Sequence, residues 1–181
     1  MTRELILVLG GARAGKSRFA QQLAQTKAEA TGAAVCFIAT AEALDEDMQG
    51  RILRHRAERP AEWRTIEEPR ALAAAYAQAA EAGVVVVDCL TLLVSNWLLA
   101  MPHDETQCLN ALETTLAAFL QTFSRREQTV IVVSNEVGLG IVPDNALARR
   151  YRDLLGNVNQ SVAAAATEVH FVVAGLPWRI K

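Results

Sequence analysis

The stretch LILVLGGARAGKS, residues 5–17, decides the fold class of this chain. A run of five apolar residues leads directly into GGARAGKS, which matches the phosphate-loop pattern G-x-x-x-x-G-K-[ST] without a substitution. The residues that follow have a helical pattern, so the stretch predicts a buried strand, a phosphate-binding turn and a helix. The alternative is a glycine-rich turn that binds no ligand, and the flanking strand and helix argue against it.

The phosphate loop also predicts the groups that hold a polyphosphate. Glycines let the backbone curl so that consecutive N–H groups point inward, and the start of the helix adds partial positive charge. Lys16 is expected to reach the β- and γ-phosphates, and the Ser17 hydroxyl to be a ligand of Mg²⁺. The predicted nucleotide-binding residues of the loop are Gly10, Gly11, Ala12, Arg13, Ala14, Gly15, Lys16 and Ser17.

The rest of the chain alternates short apolar runs with longer helical patterns, as βα units around a parallel sheet do. Strands are predicted at residues 5–9, 34–39, 84–88, 130–134 and 169–173. Helices are predicted at residues 16–26, 45–58, 69–82, 92–99, 105–124, 145–155 and 158–166, with Pro69 in a first helical turn. The predicted fold class is α/β and P-loop NTPase-like, a mostly parallel sheet with helices on both faces, in a single domain over residues 1–181.

Composition excludes several classes of protein. With 18 basic and 20 acidic residues and 51% hydrophobic residues, the chain has the core of a globular protein and no global attraction to nucleic acid. Its three cysteines form no zinc pattern, which favours a reducing cytoplasm. Asp88 interrupts the longest apolar stretch, so no segment reaches the ~18 residues that a membrane span needs.

Asp88 ends the buried run VVVVD, residues 84–88. Phosphate-loop proteins place at such a position the acid that holds Mg²⁺ or its water shell. The alternative is a helix cap, because Asp accepts N–H bonds from the next turn. The phosphate loop favours the metal role. The chain has no Asn-Lys-x-Asp tetrapeptide, the guanine-reading motif of signalling GTPases, so any guanine specificity arises in another way.

One histidine lies on an arginine-rich helix. Met48, Ile52 and His55 are spaced i, i+4 and i+7, which predicts that the imidazole faces inward or into a cleft. Arg51 and Arg59 lie four residues on either side, and their like charge favours a neutral, nucleophilic ring. The alternatives are a structural histidine and a solvated basic face.

Four segments together resemble a known family. The bifunctional adenosylcobinamide kinase / adenosylcobinamide-phosphate guanylyltransferases of cobalamin biosynthesis look similar to this chain in GGARAGKS (10–17), RILRHRAERPAEWRTIEEP (51–69), the aspartate-ended strand VVVVD (84–88) and SNEVGLGIVPDNALARRYRDLLGNVNQ (134–160). The resemblance runs from the first predicted strand to the last, and its specific part is the segments 51–69 and 134–160. Arg54 stands here at a position where relatives sometimes carry a second histidine.

The resemblance implies two reactions with GTP and ATP as substrates and Mg²⁺ as cofactor. Adenosylcobinamide is phosphorylated first, and His55 then carries a covalent guanylyl group from GTP to adenosylcobinamide phosphate. It also implies a homo-oligomer, such as a trimer, with helix 105–124 available for subunit contacts. By the same similarity the catalytic residues are His55 and Lys16, and further nucleotide contacts are Ala39, Thr40, Ala41, Arg56, Ala57, Glu58, Arg59, Glu67 and Asp88.

Other residues keep two interpretations at this stage. Glu136 follows a strand at the expected active-site edge, and it either acts in the site or belongs to a turn in which Gly138 has a positive φ. Arg149, Arg150 and Arg152 face either an anionic substrate or solvent, and Trp63, Trp97 and Trp178 either fill the core or pack against a corrin ring; His103 and His170 are expected to be structural or surface residues. The competing functions are a monofunctional small-molecule kinase and a nucleotide-operated assembly switch.

Overall fold

A seven-stranded sheet lies at the centre of the structure, a computed structural model that describes residues 3–43 and 46–181 apart from the Arg51 side chain. The strands within these residues are β1 (Glu4–Gly10), β2 (Val35–Ala39), β3 (Arg64–Glu67), β4 (Val84–Asp88), β5 (Thr129–Val133), β6 (Glu168–Val173) and β7 (Leu176–Arg179). The helices are α1 (Lys16–Thr31), α2 (Glu46–Ala57), α3 (Leu72–Gln78), α4 (Leu90–Ala100), α5 (Glu105–Phe123) and α6 (Ala146–Ala165).

The strand order places several loops at one edge of the sheet. The order is β3-β2-β4-β5-β1-β6-β7, in which β7 runs antiparallel to β6 and the other neighbours are parallel. β5 lies between β1 and β4, because Val133 pairs with both Val8 and Asp88. The carboxyl ends of β1, β2, β4 and β5 therefore meet at the same edge, where α/β proteins bind ligands.

Helices cover both faces of the sheet, so the strands are almost entirely apolar. On β1, Leu5 and Leu7 belong to the buried cluster that includes residues of α3, α4, α5 and α6, whereas Ile6 and Val8 belong to the cluster on the α1 side. α1 packs on the sheet through Ala20, Ala24 and Ala28. These small side chains at every fourth position let the helix that follows the phosphate loop lie close to the strands.

All five predicted strands are present, but two helix predictions were wrong. Residues 145–155 and 158–166 form one helix, α6, because Leu155, Val158 and Val162 continue a single buried stripe past Gly156. The third helix starts at Leu72 rather than at Pro69, since the Glu68 carboxylate accepts the N–H groups of residues 70 and 71 in a turn before it. The second begins at Glu46; residue 45 of the predicted span lies outside the described residues.

Two edge strands, β3 and β7, were missed by the sequence analysis. β3 has four residues, and Ile66 is its single buried one, so its pattern is too short to recognise. β7 contains Pro177, which argues against a central strand but is tolerated at a sheet edge. The β6–β7 turn has two consecutive positive φ values, 52° at Ala174 and 81° at Gly175, which suits a tight hairpin.

Candidate active site

The phosphate loop is braced by the β6–β7 hairpin. Gly10 has φ 149°, and a Cβ there would collide with the carbonyl oxygen of Val172. Gly15 has φ 98°, and a Cβ there would lie 3.2 Å from the Cα of Gly175, whose N–H donates to the Ala14 carbonyl at 2.8 Å. Glycine is therefore required at both ends of the loop by conformation and by space.

Lys16 carries a buried positive charge into the loop. Its side chain is 8% exposed, and Nζ donates a 2.6 Å hydrogen bond to the carbonyl oxygen of Gly11. Burial lowers the pKa of Lys16, and the negative charge of Asp88 opposes that shift. The ammonium is thus already withdrawn from water, as a group that neutralises phosphate charge needs to be.

Asp88 meets Ser17 although β5 separates its strand from β1. Asp88 pairs in register with Ala39 and Val133, both on the α1 side of the sheet, and its carboxylate accepts a hydrogen bond from Ser17. Burial raises the pKa of Asp88, whereas the Ser17 hydrogen bond and the positive charges of Arg59 and Lys16 oppose the rise. The helix-cap alternative finds no support, since the N-cap residue of the following helix is Cys89 and not Asp88.

A hydroxyl and a carboxylate are oxygen ligands of the kind that Mg²⁺ prefers, so Ser17 and Asp88 fit that ion. In the described part of the chain, no three His, Cys, Asp or Glu side chains group closely enough to hold a metal by themselves. Magnesium usually keeps waters and takes substrate phosphates as further ligands. The pair is therefore suited to a metal that arrives with a nucleotide.

Thr40 holds the backbone next to Asp88. Its fully buried hydroxyl donates to the Cys89 carbonyl at 2.6 Å and accepts from the Cys89 N–H at 2.8 Å. The Thr40 N–H donates to the Asp88 carbonyl at 3.1 Å, and the Asn96 amide donates to the carbonyls of Thr40 and Pro69. The Thr40 side chain thus faces backbone rather than open space. The sequence analysis missed Asn96, whose signal is a lone amide in the apolar helix α4.

Glu136 belongs to the loop that follows β5. Its carboxylate accepts a short hydrogen bond from the Gly138 N–H, and its own N–H donates to the Gly10 carbonyl at 3.1 Å. The side chain closes a turn, as one interpretation held, but Gly138 does not have the positive φ expected for it. The backbone contact ties this loop to the phosphate loop.

His55 lies on the exposed helix α2 and faces a cleft. Its side chain is 51% exposed and lines a cavity of about 350 Å³ together with Arg13, Arg54 and Glu58. Nδ1 lies 3.7 Å from a carboxylate oxygen of Glu58. The side chain thus lies at an open cleft and not in the protein interior. Of the two arginines predicted to flank His55, Arg59 lies near the site. The side chain of Arg51 lies outside the described residues.

Two arginines beyond His55 are already engaged. Arg56 forms an exposed ion pair of 3.4 Å with Glu67, across α2 and β3. The Arg59 guanidinium lies 3.7 Å from the ring centroid of Phe37, and its buried Nε has no hydrogen-bond partner among the described residues. Burial lowers the pKa of Arg59, which Asp88 and Glu67 counteract. An orphaned buried donor close to Asp88 is a candidate for binding a ligand.

Several other candidates have structural partners. Arg149 donates to the carbonyls of Pro143 and Asp144, while Arg150 pairs with Glu105 and Arg152 with Asp153. His170 pairs with Glu168 at 3.1 Å, and His103 is exposed. Trp63 is buried, Trp97 donates to the Arg70 carbonyl, and Trp178 is 69% exposed on β7.

The family model of cobinamide kinase / cobinamide phosphate guanyltransferase, CobU, matches residues 6–180 of this sequence. The chain belongs to this family. It is 49% identical to the bifunctional adenosylcobalamin biosynthesis protein CobP of Pseudomonas aeruginosa over 176 residues, which cover 97% of this chain and 96% of the relative. It is 40% identical to the bifunctional CobU of Salmonella typhimurium, covering 98% of this chain and 99% of that one.

Solved structures with little sequence similarity share the fold. The flagellar accessory protein FlaH of Methanocaldococcus jannaschii aligns with a TM-score of 0.56 at 14% identity, covering 99% of this chain and 79% of that one. A KaiC-like protein of Pyrococcus horikoshii aligns with a TM-score of 0.50 at 15% identity, covering 94% and 71%. The P-loop NTPase-like fold class is confirmed. None of the described helices is both long and apolar enough to span a bilayer.

Proposed function

We propose that this member of the CobU family phosphorylates adenosylcobinamide and then transfers GMP to the product through His55. The observation that carries the proposal is that one edge of the sheet holds both the phosphate loop with Lys16, Ser17 and Asp88 and a cleft lined by His55. The full-length similarity to bifunctional relatives supports the pairing of the two activities in one domain.

In the kinase step, the acceptor hydroxyl attacks the γ-phosphorus and releases its proton to water, while the bond from the γ-phosphorus to the β,γ-bridging oxygen breaks and the nucleoside diphosphate leaves. The loop N–H groups and the buried Lys16 ammonium stabilise the charge that develops on the phosphates. Mg²⁺ held by Ser17 and Asp88 would supply Lewis-acid charge neutralisation when bound. Because catalysis of phosphoryl transfer is mainly positioning and electrostatics, no protein nucleophile is needed here.

In the guanylyl step, an imidazole nitrogen of His55 attacks the α-phosphorus of GTP, and pyrophosphate leaves as a P–N bond forms. A carboxylate oxygen of Glu58 lies 3.7 Å from Nδ1, beside the attacking ring. The acceptor phosphate then attacks the same phosphorus, the P–N bond breaks, and its electron pair returns to the imidazole. The product is adenosylcobinamide-GDP.

The proposed nucleotide contacts are those of the phosphate loop, residues 10–17, together with Ala39, Thr40, Ala41, Arg56, Ala57, Glu58, Arg59, Glu67 and Asp88. The orphaned Nε of Arg59 supports its inclusion, since a phosphate oxygen would satisfy it. Thr40 would contribute through its backbone, because its hydroxyl is bonded to Cys89. The use of both ATP and GTP, a homo-oligomer such as a trimer, a cytoplasmic location and the absence of nucleic-acid binding stay predictions.

Product analysis tests this proposal against a monofunctional kinase. Purified protein incubated with adenosylcobinamide, Mg²⁺, ATP and GTP should form the phosphate first and the GDP derivative after it, with one pyrophosphate released for each GDP derivative. Accumulation of the phosphate with no GDP derivative would establish the kinase alternative. Nucleotide binding with no modification of the corrinoid would favour the other alternative, a nucleotide-operated assembly switch.

A further inference from the structure

The cavity beside His55 contains two arginines to which the reaction steps above assign no part in the chemistry: Arg13, a proposed nucleotide contact, and Arg54, which has no proposed role so far. Arg13 comes from the phosphate loop and Arg54 from α2, and both line the cavity of about 350 Å³ with His55 and Glu58. Arg13 adopts φ 57°, the left-handed region that non-glycine residues rarely enter, and its side chain is exposed whereas that of Lys16 is buried. The phosphate loop therefore places the Lys16 ammonium inside the phosphate-binding turn and the Arg13 guanidinium on the side of His55.

The guanidinium groups of this pair have free donors. Among the described residues, Arg13 has no hydrogen bond or ion pair through its side chain, and the side-chain contact of Arg54 is a 3.3 Å hydrogen bond from Nε to the Gly50 carbonyl. By contrast, Arg56 is paired with Glu67 and Arg59 is stacked on Phe37. The terminal N–H groups of Arg13 and Arg54 are therefore free to donate hydrogen bonds to an anion in the cleft, each in a bidentate way.

The second half of the guanylyl transfer requires such a site. After pyrophosphate leaves, a phosphate monoester with a charge near −2 must approach a guanylyl group that is itself anionic, and at contact distance this repulsion is large. Lys16 and the loop N–H groups are placed for the β- and γ-phosphates rather than for the new nucleophile. Guanidinium groups suit a phosphate monoester because their planar donors match two of its oxygens.

We propose that Arg13 and Arg54 form the binding site for the phosphate monoester of the acceptor during discharge of guanylyl-His55. The inference rests on the proposed function and adds the subsite that distinguishes a phosphorylated acceptor from its unphosphorylated alcohol. In this site an acceptor phosphate oxygen attacks the α-phosphorus, a P–O bond forms, the P–N bond breaks, and its electron pair returns to His55. Arg54 then acts on the second half-reaction and not on the first.

A pulse–chase experiment separates the two half-reactions. Wild type, Arg54→Ala, Arg54→Lys and the control Arg125→Ala are charged with α-labelled GTP, freed of nucleotide and pyrophosphate, and chased with adenosylcobinamide phosphate. Arg125 is an exposed arginine just after α5, at the opposite edge of the sheet. Arg54→Ala should reach the same final extent of labelling as wild type, because charging uses the phosphate loop. Its discharge by subsaturating acceptor should be about 10- to 100-fold slower.

The controls make each outcome decisive. Arg54→Lys should discharge at an intermediate rate because it keeps the charge and loses the planar fork, and Arg125→Ala should match wild type. A chase with pyrophosphate, which regenerates GTP, should be unaffected in Arg54→Ala. Wild-type discharge rates in Arg54→Ala, or equal slowing with pyrophosphate and acceptor, would overturn the inference. A wild type that is never labelled would refute the covalent step, and the inference with it.

Discussion

The phosphate loop and helix α2 lie on one edge of the sheet but differ in how they are built. Lys16 is 8% exposed and hydrogen-bonded inside the loop, and the Asp88 backbone is held by Thr40 and, through it, by Asn96. His55 is half exposed, and none of the described side chains of its helix, α2, is buried. The first region is fixed before any substrate binds, whereas the second leaves its functional group accessible.

This difference matches the demands of the two proposed reactions. Phosphoryl transfer needs electrostatic groups placed in advance, because little else lowers its barrier. A covalent carrier must instead be reached first by GTP and then by a bulky acceptor, so an enclosed histidine would exclude one of them. The comparison predicts that variants in the first region affect both reactions, and that variants in the second affect one.

The largest effect is expected from Lys16→Met, which keeps the apolar stem and removes the charge. Both phosphorylation and guanylyl transfer should fall by about 100- to 1,000-fold, because the ammonium stabilises γ-phosphoryl transfer in one reaction and pyrophosphate departure in the other. Steady-state rates of both reactions measure this. Lys27→Met is the matched control on the same helix, since Lys27 pairs with Glu4 away from the site. Loss of one activity alone would show that Lys16 does not act in both reactions.

Asp88→Asn should lower activity less than Lys16→Met does, and it should make the fold more stable. Activity should fall by about 10- to 100-fold and require more Mg²⁺, because a ligand charge is lost. Burial raises the pKa of Asp88 above 3.8, so the ionised carboxylate destabilises the fold at neutral pH. The nucleotide-free variant should therefore be more stable than wild type at pH 7. The gain should shrink as pH falls through the raised pKa and level off below 3.8, where the wild-type carboxyl is protonated in both the folded and the unfolded state.

Denaturant unfolding at several pH values checks this prediction, with His55→Ala as the comparison. Because His55 is exposed, its removal should change the free energy of unfolding by less than about 0.5 kcal/mol at any of these pH values. An Asp88→Asn variant that is less stable than wild type at pH 7 would show that the carboxylate stabilises the fold instead.

The sequence was sufficient for the fold class because one motif constrains so much of it. GGARAGKS between a strand and a helix requires a parallel sheet, and the β-branched runs supply the central strands. The two edge strands of the sheet could not be predicted from the apolar sequence pattern, because β3 is four residues long and β7 contains a proline. The continuity of α6 across Gly156 depends on burial of Leu155 and Val158 against the sheet, a tertiary effect that outweighs local propensity.

The candidate site was predictable in its residue types and less so in its geometry. Spacing alone placed Lys16 and Ser17 on one loop and His55 on one helix. The sequence also predicted that Ser17 and Asp88 hold the same Mg²⁺; the structure adds their direct hydrogen bond and the strand order that brings β4 close to the phosphate loop. The meeting of Arg13 with Arg54 joins positions 41 residues apart in the chain, and the contacts of Thr40 with Cys89 span 49 residues, so neither has a local signal.

Covalent guanylylation of His55 can be tested by mapping the label to a residue. Wild type and His55→Ala are incubated with α-labelled GTP and Mg²⁺, digested, and the labelled peptide is identified. Wild type should carry a label on His55 that is lost in mild acid and survives alkali, as a phosphoramidate does. His55→Ala should carry no label and should still phosphorylate adenosylcobinamide. Undiminished labelling of His55→Ala, or a wild-type label on Lys16 or another residue, would contradict covalent guanylylation of His55.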